Sequence, residues 1–202
     1  MNYLAHLHLA AKTDTSFSGN FLGDFVKGNP NGLYSEQVVE GIRLHRYVDG
    51  FTDKHPRVLA AKLLFPKSLR RYAPIALDMF WDHCLASNWP IYHTQSLSQF
   101  CLFAEQKIAD EIKLESADLP ERFLRVNGWV WEDKWLESYQ KMNSIRYALQ
   151  RMSTRSERMS PLAETSQVLI DNYVELTQVF DLLYEDVLKA SELFIHAYKK
   201  GD

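Results

Sequence analysis

The sequence predicts an all-α protein folded as a single-domain helical bundle, and three features predict it. Apolar residues recur at helical spacing through most of the chain, period-two alternation is scarce, and prolines and glycines cluster between the periodic stretches. With 46% hydrophobic and 13% aromatic residues in 202, the chain can bury a full core as one domain over residues 1–202, and no linker-like stretch divides it.

The elements follow in order. In NYLAHLHLA, His6 and His8 stand two apart; an extended backbone would place them on one face, whereas a helix would separate them. The first helix is expected near Ser18, carrying Phe21, Leu22, Phe25 and Val26 up to the turn-forming run Gly28-Asn29-Pro30-Asn31-Gly32. A second runs from about Ser35 to Gly50, and a third from Arg57 to Phe65, where Pro66 ends it. Pro74 suits the first turn of the next helix, PIALDMFWDHCLAS, because its missing N–H needs no partner there. Ser96 and Gln99 have capping-box spacing for a helix reaching about Ser116. Another covers Trp129 to Met152, in which Trp131, Trp135 and Tyr139 form a stripe suited to core packing or to lining a groove. In the last stretch Leu162, Leu169, Leu176, Leu183 and Ala190 recur every seven residues behind a Ser160-Pro161 start. Such a stripe is the spine of an intramolecular bundle or, as the other reading, a dimerising coiled coil.

A net charge of -3 excludes a globally basic nucleic-acid binder, and no nucleic-acid motif is present. Cys84 and Cys101 have neither zinc-knuckle spacing nor the density of a disulfide scaffold, which points to buried thiols in a reducing, cytoplasmic setting. No signal-like N-terminus and no membrane-length apolar run occurs.

The informative residues are polar ones in apolar surroundings. Asp24 sits among Leu22, Phe25 and Val26, so it either points inward to a partner or satisfies the following turn. His45 and Asp49 are four apart, one helical turn, and can reach one ion or form a surface pair. Asp78 and Asp82 repeat that spacing, with His83 next to them. Two carboxylates one turn apart repel unless a positive group lies between them, so the readings are metal binding, a buried salt-bridge network or a solvent-exposed face. His6 and His8 could close such a site as ligands, bind phosphate, act as acid/base groups or be structural. Mixed imidazole and carboxylate donors suit manganese, iron, zinc or magnesium, and the chemistry that needs them is hydrolysis by an activated water.

The strings NYLAHLHLA, SGNFLGDFVKGNP, GIRLHRYVDGFTD and PIALDMFWDHCLASNW, followed by FLRVNGWVWEDKWLESY and the final helix, resemble the bacterial acyl carrier protein phosphodiesterase family. The resemblance implies an HD-like metal phosphohydrolase with altered motif order, since the only His-Asp adjacency here reads Asp82-His83. It also implies manganese-dependent removal of 4'-phosphopantetheine from the serine of holo-acyl carrier protein. On this chain Asp24 is matched to the family's essential metal-site aspartate, with His45, Asp49, Asp78, Asp82 and His83 as ligands or their partners, and His6 and His8 beside them.

In this reading Arg43 or Arg46 neutralises developing charge, and His83 or His6 protonates the leaving serine oxygen. Between Phe51 and Pro74 the cations Lys54, Arg57, Lys62, Lys67, Arg70 and Arg71 face the single acid Asp53, a local excess suited to an acidic carrier protein. The rival readings are a nucleotide or dinucleotide phosphohydrolase of the same metal class and a non-enzymatic helical adaptor for an acidic protein.

Overall fold

A computed structural model describes residues 1–201. The helices are α1 (Tyr3–Thr13), α2 (Phe17–Leu22), α3 (Glu36–Lys54), α4 (Pro56–Leu63), α5 (Ala73–Ser87), α6 (Trp89–Tyr92), α7 (Leu97–Leu114), α8 (Glu121–Glu132), α9 (Trp135–Ser138), α10 (Met142–Ser153), α11 (Thr165–Asp171) and α12 (Tyr173–Lys200). Short 3-10 segments, Arg70–Tyr72 and Glu157–Glu164, precede α5 and α11, and no strand occurs among the described residues. The all-α expectation is met.

α1 is the centre of the bundle, packed against α2, α5 and α12. It is buried around its whole circumference, with Leu4, Ala5, Leu7, Leu9 and Ala10 fully enclosed and His6 and His8 among them. Its start has no local side-chain cap. Instead the N–H groups of Leu4 and Ala5 donate to Asp82 Oδ2 and Oδ1 at 2.8 and 3.1 Å, so a buried carboxylate on α5 satisfies two of the orphan donors. The first helix therefore begins fifteen residues before the expected Ser18, and Ser18 lies inside α2.

α2 is held by Ser16, whose Oγ accepts the N–H of Gly19, and by Glu111 on α7, which accepts the N–H groups of Phe17 and Ser18. Glycine lets α2 and α3 touch: a Cβ at Gly19 would stand 2.4 Å from the Val38 carbonyl oxygen, and one at Gly41 would stand 2.8 Å from that of Ser16. The close crossing brings the end of α2 against the middle of α3. The loop beyond α2 is strapped to α3 by arginines. Arg43 donates to Asn31 Oδ1, and Arg46 to the carbonyls of Gly28 and Val26, at 2.8, 2.7 and 2.6 Å.

The capping box at Ser96 and Gln99 starts α7 as expected. The helix expected over Trp129 to Met152 is instead three, because Lys134 adopts a left-handed conformation and the chain turns again at Lys141. The long terminal stripe is broken at Asn172, and Pro161 lies within a 3-10 segment. Its heptad leucines, Leu162, Leu169, Leu176 and Leu183, are nonetheless completely buried in the single hydrophobic core. No described helix is long and apolar enough to cross a membrane.

Candidate metal centre

Three side chains from two helices converge beside the start of α1. His6 of α1 lies 3.1 Å, Nε2 to Oδ1, from Asp49 of α3, and His45, one turn before Asp49, lies 3.1 Å from its other oxygen. The two imidazoles stack with centroids 3.8 Å apart and planes 20° apart. One donor atom from each of His6, His45 and Asp49 lies within 4.8 Å of the others. Asp24, in the turn after α2, brings Oδ1 to 3.5 Å from His45 Nε2. Both histidines are buried while Asp24 and Asp49 are half-exposed, so the group opens to solvent through its carboxylates.

The tautomer of His45 is set by geometry. Its Nδ1 is 2.7 Å from the backbone oxygen of Asn20, which can only accept, so Nδ1 carries a proton and Nε2 faces the carboxylates. Gly23 is necessary for this pose, since a Cβ there would lie 2.1 Å from His45 Cγ.

The imidazoles and carboxylates of the cluster shift one another's ionisation. Burial pushes His45 down, but contact with Asp24 and Asp49 outweighs it and raises the ring to about 9. Burial and the neighbouring His45 charge depress His6 to about 4. Asp49 is held below the usual carboxylate range, the two histidines overcoming its burial, and Asp24 is lowered by His45 in the same way. The same geometry could hold a metal ion. His45 Nε2 has neither carboxylate aligned for a hydrogen bond, and His6 Nδ1 is buried without a partner. An ion bonds to lone pairs converging on a point and needs no linear N–H···O arrangement. Two imidazoles and one or two carboxylates, without thiolate, form a nitrogen and oxygen donor set of the borderline type. The residues fit a divalent metal.

The other residues singled out from the sequence lie elsewhere or at the margin. Asp78 and Asp82 do share a face, yet the positive partner between them is the start of α1. Asp78 Oδ1 is 2.8 Å from the Met1 α-ammonium, which is also 3.7 Å from Asp49, while Asp82 caps α1. Asp78 thus borders the cluster through the ammonium, and burial raises Asp82 to about 7.

His83 turns away: its Nδ1–H donates to the Tyr139 carbonyl at 2.7 Å and Nε2 accepts from Tyr173 Oη at 2.8 Å, which leaves no nitrogen for a metal or a substrate. His8 diverges from His6 because the segment is helical, and its ring contacts Tyr184 Oη and the Tyr92 carbonyl. Arg43 and Arg46 are committed to the 26–31 loop. Among the basic residues after α3, Arg57 pairs with Asp186 and Lys62 with Asp53. Arg70 donates to the Leu63 and Phe65 carbonyls, and Arg71 to Tyr72 Oη and the Arg158 carbonyl. Lys54 and Lys67 remain exposed.

Sequence reasoning missed Asn20 and Gly23, which orient His45; the glycine directly before Asp24 was the available signal.

Comparison with known proteins identifies the family. The family model described as acyl carrier protein phosphodiesterase matches residues 1–187. The chain is 41% identical over 193 residues to the acyl carrier protein phosphodiesterase of Photorhabdus laumondii, covering 95% of this chain and 96% of that one. It is 40% identical to the protein of that name from Serratia proteamaculans and 38% to that from Klebsiella pneumoniae, each covering 95% of this chain and 98% of the relative. No solved structure matches. The chain therefore belongs to the acyl carrier protein phosphodiesterase family.

Proposed function

We propose that this protein hydrolyses the phosphodiester joining 4'-phosphopantetheine to the serine of holo-acyl carrier protein, releasing apo-carrier and free 4'-phosphopantetheine, with His6, His45, Asp49 and Asp24 holding a manganese ion. One observation carries the reading. A buried pair of imidazoles shares a carboxylate at 3.1 Å on each side, in a chain related over nearly its full length to proteins bearing that name.

A divalent ion supplies Lewis-acid polarisation of the phosphoryl group and an acidified water. The protein's own groups do the rest. Asn20 fixes the His45 tautomer so that Nε2 faces the site, and the His6 and His45 rings form the dry floor of the cluster. Asp24 stands at the solvent side, where its ionised oxygen can take the proton of the attacking water. The water oxygen bonds to phosphorus, the phosphorus–serine oxygen bond breaks, and the proton returns to the serine oxygen.

The segment from Lys54 to Arg71 joins the helix of Asp49 to that of Asp78. Its Lys54 and Lys67 are exposed, as are Leu59 and Leu63 of α4, a mixture of charge and apolar surface suited to an acidic carrier. The free, buried Cys84 and Cys101 accord with work in the cytoplasm.

The test follows carrier mass. Purified protein with manganese should remove the whole 4'-phosphopantetheine group from holo-carrier, and chelation or Asp24→Ala should abolish the loss. An intact carrier beside hydrolysed free nucleotide would transfer the assignment to nucleotide phosphohydrolysis. An inert protein that still binds carrier would favour an adaptor.

A further inference from the structure

The mouth of the cluster has an electrostatic problem. Asp24, Asp49 and Asp78 all present half-exposed carboxylates there, the Met1 ammonium between the last two is buried, and a phosphodiester arrives as an anion. Repulsion of this kind is relieved by a guanidinium or ammonium placed to meet the phosphoryl oxygens. The arginines nearest in sequence do not serve, because Arg43 and Arg46 spend their donors on Asn31 and on the carbonyls of Gly28 and Val26.

We propose that Arg122 is the substrate-binding cation of this site, its guanidinium meeting a non-bridging oxygen of the phosphodiester across the mouth from Asp24. Arg122 lies in the first turn of α8, and its guanidinium sits 5.5 Å above the ring of Phe25, the residue that follows Asp24. The pedestal is fixed: Phe25 packs against Phe123 with centroids 5.6 Å apart and lies nearly parallel to Tyr3, 6.5 Å away. An arginine over an aromatic face is held in place while its outer N–H groups stay available to a phosphate. No carboxylate pairs with it among the described residues. The phenol of Tyr3 reports the same neighbourhood. Burial raises it, the Asp24 charge raises it further, and the Arg122 and Arg155 charges pull it down, so Asp24 and Arg122 both act on the ring that Phe25 stacks against.

This inference rests on the proposed phosphodiesterase reading, and two readouts separate the two. With manganese and holo-carrier, Arg122→Ala is expected to lower kcat/KM by about 100-fold, the scale of one lost transition-state donor, and Arg122→Lys to recover part of it. Independently, inorganic phosphate titrated into the manganese-loaded protein should show paramagnetic broadening of its phosphorus resonance. The variant should bind phosphate at least tenfold more weakly while manganese affinity stays within twofold.

If the wild type leaves the carrier untouched but Arg122→Ala still loses phosphate, the anion site stands and the carrier reading falls. Unchanged phosphate affinity together with kcat/KM within twofold overturns the role of Arg122. Loss of manganese affinity in both variants also overturns it, since Arg122 would then be holding the fold.

Discussion

The backbone carbonyl of Asn20 accepts the Nδ1–H of His45 across 2.7 Å, which joins the last turn of α2 to the middle of α3 and aims the other ring nitrogen at Asp24 and Asp49. The acceptor is a backbone group outside the cluster. A residue that crowds the ring should therefore damage the centre without touching a single donor.

Gly23→Ala is the sharpest such change. Its Cβ would fall 2.1 Å from His45 Cγ, so the ring or the turn must move. Displacing a ligand's support weakens metal binding by about 10- to 100-fold, and overpacking costs about 1–3 kcal/mol. Titration calorimetry with manganese and urea unfolding of the metal-free variant measure the two effects. Wild-type affinity in Gly23→Ala would remove Gly23 from the argument.

Metal should also act as a folding ligand. His6 and His45 come from different helices, and in the unfolded chain their donors are separated by 39 positions. An ion that binds the assembled group stabilises the native state by about 2.7 kcal/mol at a hundredfold excess over Kd. The unfolding midpoint of wild type is expected to rise with manganese and that of Asp49→Asn to stay flat. A rise of equal size in both would place the ion elsewhere.

Asp82 is expected to behave as a cap and not as a ligand. Asp82→Ala leaves the N–H groups of Leu4 and Ala5 without acceptors in a buried setting, a loss of about 1–3 kcal/mol. Manganese stoichiometry should be unchanged in the refolded variant. A halved stoichiometry would return Asp82 to the metal site.

The same residue explains what could be read from the chain. Elements whose signals are local were legible: the capping box of α7, the proline start of α5, and the heptad leucines that bury completely. α1 was not, because it is buried on all sides and its cap comes from 77 and 78 positions away. The i, i+4 spacing of Asp78 and Asp82 did imply a shared positive partner, but spacing cannot tell an ion from a helix N-terminus. Nor could it show that His83, one residue on, points to Tyr139 and Tyr173 instead. His6, His45, Asp49 and Asp24 were visible as residue types; the structure supplied their convergence.

His83 should give stability a pH dependence of its own. Its Nδ1–H donates to the Tyr139 carbonyl and its Nε2 meets Tyr173 Oη, and burial lowers its pKa despite the Tyr139 contact, so the folded state favours the neutral ring. In the unfolded chain the ring titrates near the ordinary value of about 6.5. Below that pH the unfolded state binds the proton that the folded state refuses, so the contribution is complete above about pH 6.5 and is lost as pH falls. One proton limits the slope to about 1.4 kcal/mol per pH unit. The buried His6 and His8 are also depressed and add slopes of their own, so the informative quantity is a difference. In urea unfolding of metal-free protein, the stability gap between wild type and His83→Gln is expected to shrink from pH 7.5 to 5.5. A constant gap would mean that His83 accepts its proton equally in both states, against the burial that disfavours the charged ring in the fold.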